Sequence, residues 1–146
     1  MEVIYEFRYE FGFLSNFYPA QVSLDGMGFP SVEHAYQAAK TLDHGERSTI
    51  REAASPAEAK KMGRGLLHRR PDWEEAKEAI MLDLLRQKFS NNALGERLLA
   101  TGGAVLIEGN GWGDRYWGVS GGSGLNRLGI LLMTVRQELE ATRAPV

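Results

Sequence analysis

Residues 31–40 read SVEHAYQAAK. Offsets of three, four and seven place Glu33, Tyr36, Gln37 and Lys40 on one helical face, while Val32, Ala35, Ala38 and Ala39 occupy the rest. Phe29-Pro30 supplies a rigid turn just upstream, and Ser31 is a good N-cap, so the spacing predicts a helix from Val32 to about Leu42. A surface helix scatters its charges outward and turns its aromatic inward. Here an acid, a phenol, an amide and an amine share one line. Either this is a solvated face carrying one tyrosine, or it is the wall of a polar pocket.

Upstream, Val3–Tyr9 is rich in β-formers and partly alternating, which predicts a strand. Phe11–Pro19 (FGFLSNFYP) mixes aromatics with Gly, Ser, Asn and Pro, and reads as a loop pinned by its own side chains. Gln21–Leu24 and Gly28-Phe29, joined by Asp25-Gly26, read as a hairpin. Downstream, a helix is expected near residues 46–54, and another opens at Ser55-Pro56-Ala57-Glu58, a capping box with proline at the first helical position. Gly63 and Gly65 end that helix. Asp72 introduces the longest helix, about 73–89, with Trp73, Ala76, Ile80, Met81, Leu84 and Leu85 on its apolar side. A helix over 93–101 stops at Gly102-Gly103, Ala104–Ile107 reads as a strand, and residues 126–141 form a last amphipathic helix. Ala144-Pro145-Val146 reads as a frayed end. The sum is one α+β domain over residues 1–146, mostly helical with a few short strands.

Composition narrows the class. With 146 residues the chain can bury a real core. Lys and Arg number 17 against 19 Asp and Glu, a formal charge of −2, so no global basic field draws it to nucleic acid. It has no cysteine, which removes disulfides and thiolate metal sites. No basic segment leads an apolar run at the N-terminus, and nothing approaches a membrane span, so a cytoplasmic enzyme or binding domain is expected. His34, His44 and His68 have no metal-ligand spacing. A cofactor-free protein without metal is the expectation.

Ten of the 17 glycines fall between residues 102 and 129. The same stretch carries Glu108, Asn110, Trp112, Asp114, Tyr116 and Trp117. A loop of that length is functional or disordered as a rule, and its aromatics argue against disorder. Glycines let a backbone approach a ligand closely, and Gly-Ser-Gly-Leu-Asn leading into a helix can present amides to an anion. The alternative is a turn that holds its aromatics in the core.

Seven blocks in order now carry a resemblance: FLSNFYP at 13–19, SVEHAYQAAK at 31–40, KKMGR at 60–64, LLRQKF at 84–89, LIEGN at 106–110, GDRYWG at 113–118 and GLNRLGILLMTVR at 124–136. Together they resemble the NADAR (NAD- and ADP-ribose-associated) or YbiA-like family. The resemblance implies a mostly helical fold and an N-glycosidase activity on ribosylaminopyrimidine phosphates of early riboflavin synthesis. Other members of the family remove ADP-ribose from guanine bases. One departure stands at Val119-Ser120-Gly121-Gly122-Ser123, where relatives often carry a polar or small residue after Tyr-Trp-Gly. It bears on the contacts of this loop and on substrate identity.

N-glycoside cleavage develops oxocarbenium-like charge on the ribose, so a carboxylate is wanted near C1. Glu33 and Asp114 are the candidates, both set among polar and aromatic residues. Glu33 also sits where a helix dipole favours an acid, so capping is its bland alternative. Lys40 lies about 10.5 Å further along the helix, a reach that suits a phosphate one sugar away from C1. Arg64, between two glycines, is the second phosphate candidate, although surface charge is the commoner fate of both cations. Trp112 and Trp117 either stack a base or fill core. Asn16 either binds ribose hydroxyls or caps its loop. Tyr36, Gln37 and Asn126 complete the substrate-binding set. Three functions follow: an N-glycosidase on a phosphorylated ribosylamine, an ADP-ribosyl-guanine hydrolase acting on modified nucleic acid, or a non-catalytic ADP-ribose or nucleotide binder.

Overall fold

The computed structural model describes residues 2–143; the predicted frayed end at 144–146 lies outside them. The chain is α+β and mostly helical, with six α-helices and four short strands among the described residues. It divides into two units: Asn16–Lys88, and the stretch through Ser15 together with the stretch from Phe89 on.

The middle unit begins with β2 (Pro19–Leu24) and β3 (Met27–Ser31), paired antiparallel with Leu24 opposite Met27. Asp25 and Gly26 both take positive φ, 48° and 83°. That is the two-residue turn whose twist matches the strands, as Asp-Gly predicts. Helix α1 (Val32–Ala39) follows at once, with the Ser31 hydroxyl accepting from the His34 N–H at 3.1 Å. Such a cap contributes about 1 kcal/mol. All eight residues of α1 are buried, so neither face is solvated. Ala35, Ala38 and Ala39 have no exposed surface, and α2, α3, β2 and β3 all pack against this helix. It stops three residues short of Leu42. The N–H groups of Lys40 and Thr41 turn back to Gln37 and Ala38, after which Thr41 pairs as a bridge with Arg69 and Lys40 accepts from the Arg70 N–H. A long-range pairing, invisible to local periodicity, ends the helix.

Asp43 caps α2 (His44–Arg51), and Ser55 caps α3 (Pro56–Gly63) by accepting from the Glu58 N–H. Helix α4 runs Trp73–Ser90. Trp73, Met81, Leu84 and Leu85 are buried as expected, and Ala76 and Ile80 half-buried.

In the other unit, β1 is shorter than predicted. Only Val3–Ile4 pairs, parallel to β4 (Val105–Leu106), because one short neighbour is all the ladder it has. Tyr9 then turns to φ 53°, and Tyr9–Leu14 winds into a 3-10 helix where a strand end and a loop were expected. The turn buries Phe13 and Leu14. Phe13 meets Phe89 edge-on at 6.5 Å and lies under the Arg97 guanidinium at 4.3 Å. Helices α5 (Asn92–Leu99) and α6 (Arg127–Thr142) complete this unit, with Leu98, Leu106, Leu132 and Val135 in its core.

Candidate active site

The α1 stripe is a buried polar cluster. Glu33, in the first turn, is 8% exposed; its N–H donates to the Asn16 carbonyl at 3.1 Å, and its Oε2 accepts from Gln37 Nε2 at 2.6 Å. The positive end of the helix favours negative charge at that position. One turn on, the Tyr36 ring sits 5.1 Å from Trp73 and has Lys40 Nζ 5.5 Å from its centre. Asn16 is buried too. Its amide nitrogen points to Met81 Sδ at 3.7 Å, while its Oδ1 finds no hydrogen-bond partner among the described residues. The Gln37 Oε1 is likewise buried and unpartnered. Buried acceptors left without a donor are rare and ask for a reason.

Cations gather toward the C-terminal end of α1. Burial, with the guanidinium of Arg69 next, brings Lys40 down to about 8, against an upward pull from Glu33; Arg64 and Lys60 add to the lowering. Sequence spacing identified Lys40 and Arg64 but gave no sign of Lys60 and Arg69. Arg69 arrives through the bridge to Thr41. His34 is structural: its ring nitrogens reach the Ser31 hydroxyl at 2.7 Å and the Ala53 carbonyl at 3.1 Å.

Lys88 was not legible as special. It is 1% exposed on α4, and burial lowers its ammonium to about 7. Its Nζ lies 5.8 Å from the Tyr18 ring centre. A lysine poised between protonation states near neutrality is a candidate proton carrier.

The glycine-rich loop belongs to the other unit and is an ordered network. Asn110 Oδ1 accepts from the Asp114 N–H at 3.0 Å, and its amide donates to the Asp114 carbonyl at 2.9 Å. Asp114 Oδ1 in turn accepts from the N–H groups of Tyr116 and Trp117, at 3.1 and 2.9 Å. The carboxylate thus holds its own turn. Trp117 is half-buried and meets Tyr116 edge-on at 4.9 Å, whereas Trp112 is 60% exposed between Gly111 and Gly113 and is not core. Asn126 stands at φ 52° as the N-cap of α6, without a side-chain cap bond. Its amide instead ties α6 to the β4 strand end: Oδ1 accepts from the Glu108 N–H and Nδ2 donates to the Leu106 carbonyl, both at 2.9 Å. Both amide ends are engaged with backbone, which gives Asn126 a structural role in this loop. Within the middle unit the structure brings together Asn16, Glu33, Tyr36, Gln37, Lys40 and Arg64. Trp112, Asp114, Trp117 and Asn126 belong to the loop network.

The family follows from comparison. The model of the NADAR domain matches residues 5–140, and the chain belongs to the NADAR family. It is 44% identical over 133 residues to the N-glycosidase YbiA of Escherichia coli, covering 89% of this chain and 82% of that one. It is 37% identical over 135 residues to the N-glycosidase Npun_R5314 of Nostoc punctiforme, covering 88% and 86%. The chloroplastic riboflavin biosynthesis protein PYRR of Zea mays is 38% identical over a gapped alignment of 150 positions that covers 90% of this chain and 24% of that larger protein. The NMR structure of E. coli YbiA superposes with a TM-score of 0.82 at 39% identity, covering all of this chain and 92% of the other.

Proposed function

We propose that this chain is an N-glycosidase hydrolysing the C–N glycosidic bond of a phosphorylated ribosylaminopyrimidine of riboflavin biosynthesis. The observation that carries the reading is a buried carboxylate, Glu33, on the same helix as a cation cluster built on Lys40. The substrate phosphate is held by Lys40 and Arg64, with Lys60 and Arg69 supporting, which sets C1 of the ribose toward Glu33. The C–N bond breaks with its electron pair left on the departing nitrogen. Glu33 takes a proton from water as the hydroxide adds to C1, and that same proton passes on to the departing nitrogen, which leaves Glu33 ionised again. A positioned base of this kind contributes about 10²–10⁴-fold. Asn16 Oδ1 is an acceptor free for a ribose hydroxyl. In this reading Asp114 serves its own loop, holding the turn of Tyr116 and Trp117. One NADAR domain spans the chain, as the match over residues 5–140 supports. Among the described residues no helix is long and apolar enough to cross a membrane, and we place the enzyme in the cytoplasm with a small-molecule partner.

One observation favours a second reading, removal of ADP-ribose from guanine in nucleic acid: four cations exceed what a single monophosphate needs, and suit a diphosphate. Incubation with each substrate type, following free base by chromatography, tests both. Release of pyrimidine alone supports the first, release of guanine alone the second, and release of neither removes catalysis on both.

A further inference from the structure

Helix α3 ends at Gly63, as its sequence predicts, but without the positive φ that would require a glycine there. Gly63 is buried and has no positive φ, so its backbone suits alanine, the better helix former. A Cβ placed there would stand 1.8 Å from Gln37 Oε1 and 2.8 Å from Gln37 Cδ. The missing methyl is therefore the space that the Gln37 amide occupies. That amide has one hydrogen bond, from Nε2 to Glu33 Oε2, and a buried oxygen with none. Its orientation is forced, since the reverse would face an amide oxygen against a carboxylate. The Gly63 Cα edge is what the orphaned oxygen meets, a contact of the weak C–H···O kind at best.

We propose that Gln37 and Gly63 form a positioning device for Glu33: the glycine of α3 leaves the room in which the Gln37 amide stands, and the amide fixes the Glu33 carboxylate. Neither residue touches the reacting atoms. The proposal rests on Glu33 being the reactive carboxylate, but the device itself is a physical coupling between α3 and α1. The charge coupled to Glu33 on its own helix is Lys40, and around Lys40 in turn stand Lys60 and Arg64 from α3 and Arg69 from the segment beyond. Helix α2 brings Glu46 to Thr41, and β2 and β3 bring no titratable side chain.

The variants are Gly63→Ala, Gln37→Met and the two combined, in the full chain. Each single change is expected to lower kcat about 10-fold while KM stays within about two-fold, because the loss falls on carboxylate orientation. The double variant should be no worse than Gln37→Met alone, since alanine at 63 harms only through Gln37. The Gln37 bond favours the charged carboxylate, so its loss moves the acidic limb of the kcat/KM profile to higher pH. The carbon-13 signal of the Glu33 carboxyl should titrate at correspondingly higher pH in both single variants. That signal needs no substrate, so it reports on the device even if the wild type hydrolyses neither substrate, an outcome that defeats the functional reading separately. Unchanged Glu33 titration in Gln37→Met, or losses from the two changes that multiply in the double variant, would overturn the proposal. Should Gly63→Ala melt far below the wild type, Gln37→Met and its titration decide alone.

Discussion

At the scale of single residues, Glu33 and Lys40 make the clearest commitments. Glu33→Gln is nearly isosteric, and an amide can still accept from Gln37, so the melting temperature should hold while kcat falls at least about 100-fold. Near-normal turnover by a folded variant would remove Glu33 from the chemistry. Lys40, lowered to about 8 chiefly by burial, gives up its proton as pH rises through that value. For a 5′-phosphorylated substrate, kcat/KM should therefore decline above about pH 8, and Lys40→Arg should abolish the decline because a guanidinium keeps its charge. A basic limb that persists in Lys40→Arg would assign it to another group. The stripe itself was legible: spacing alone put Glu33 and Gln37 side by side, and they are hydrogen-bonded. What spacing withheld was burial. A polar helical face looks solvated in sequence, and only the elements packed around α1 make it interior.

At the scale of an element, the 107–126 loop behaves as a scaffold. Asp114→Asn retains an oxygen for the Tyr116 and Trp117 N–H groups and should keep both the melting temperature and turnover within about 10-fold, whereas Asp114→Ala should lose about 1–2 kcal/mol of stability. Paired thermal melts and rate measurements distinguish these. A dead but stable Asp114→Asn would return Asp114 to the catalytic group. Trp117→Phe should keep most nucleotide-ligand affinity, and Trp117→Ala should lose about 1–3 kcal/mol, the range of base stacking, read by fluorescence titration. A collapse of the melt without loss of ligand quenching would instead make Trp117 packing. Sequence marked this loop through its glycines and aromatics, yet could not distinguish a ligand contact from a turn support. Asp, Asn and Gly serve both ends with the same side chains, and only the hydrogen-bond partners tell them apart.

At the scale of the whole molecule, Lys88 couples stability to pH. Its ammonium titrates near 7 in the folded chain, lowered by burial, and near the ordinary lysine value when unfolded. Between those values the unfolded chain binds more protons than the folded one, so stability rises with pH; below about 7 both states are charged and the burial penalty is present in full. The melting temperature should climb from pH 7 to 9. Lys88→Met should melt higher at pH 7 and show a flatter climb; an unchanged slope would mean that other groups dominate. The sequence by itself determined the family, the mostly helical α+β class, the Asp25-Gly26 hairpin and the capped starts of α1 and α3. Those features depend on periodicity and turn chemistry within a few residues. Tertiary structure alone decided that α1 is buried on every side, that it ends where Thr41 pairs with Arg69, that Lys60 and Arg69 join Lys40, and that Gly63 makes room for Gln37. Each of these depends on atoms brought together from distant positions, and on the desolvation that follows, which no local pattern records.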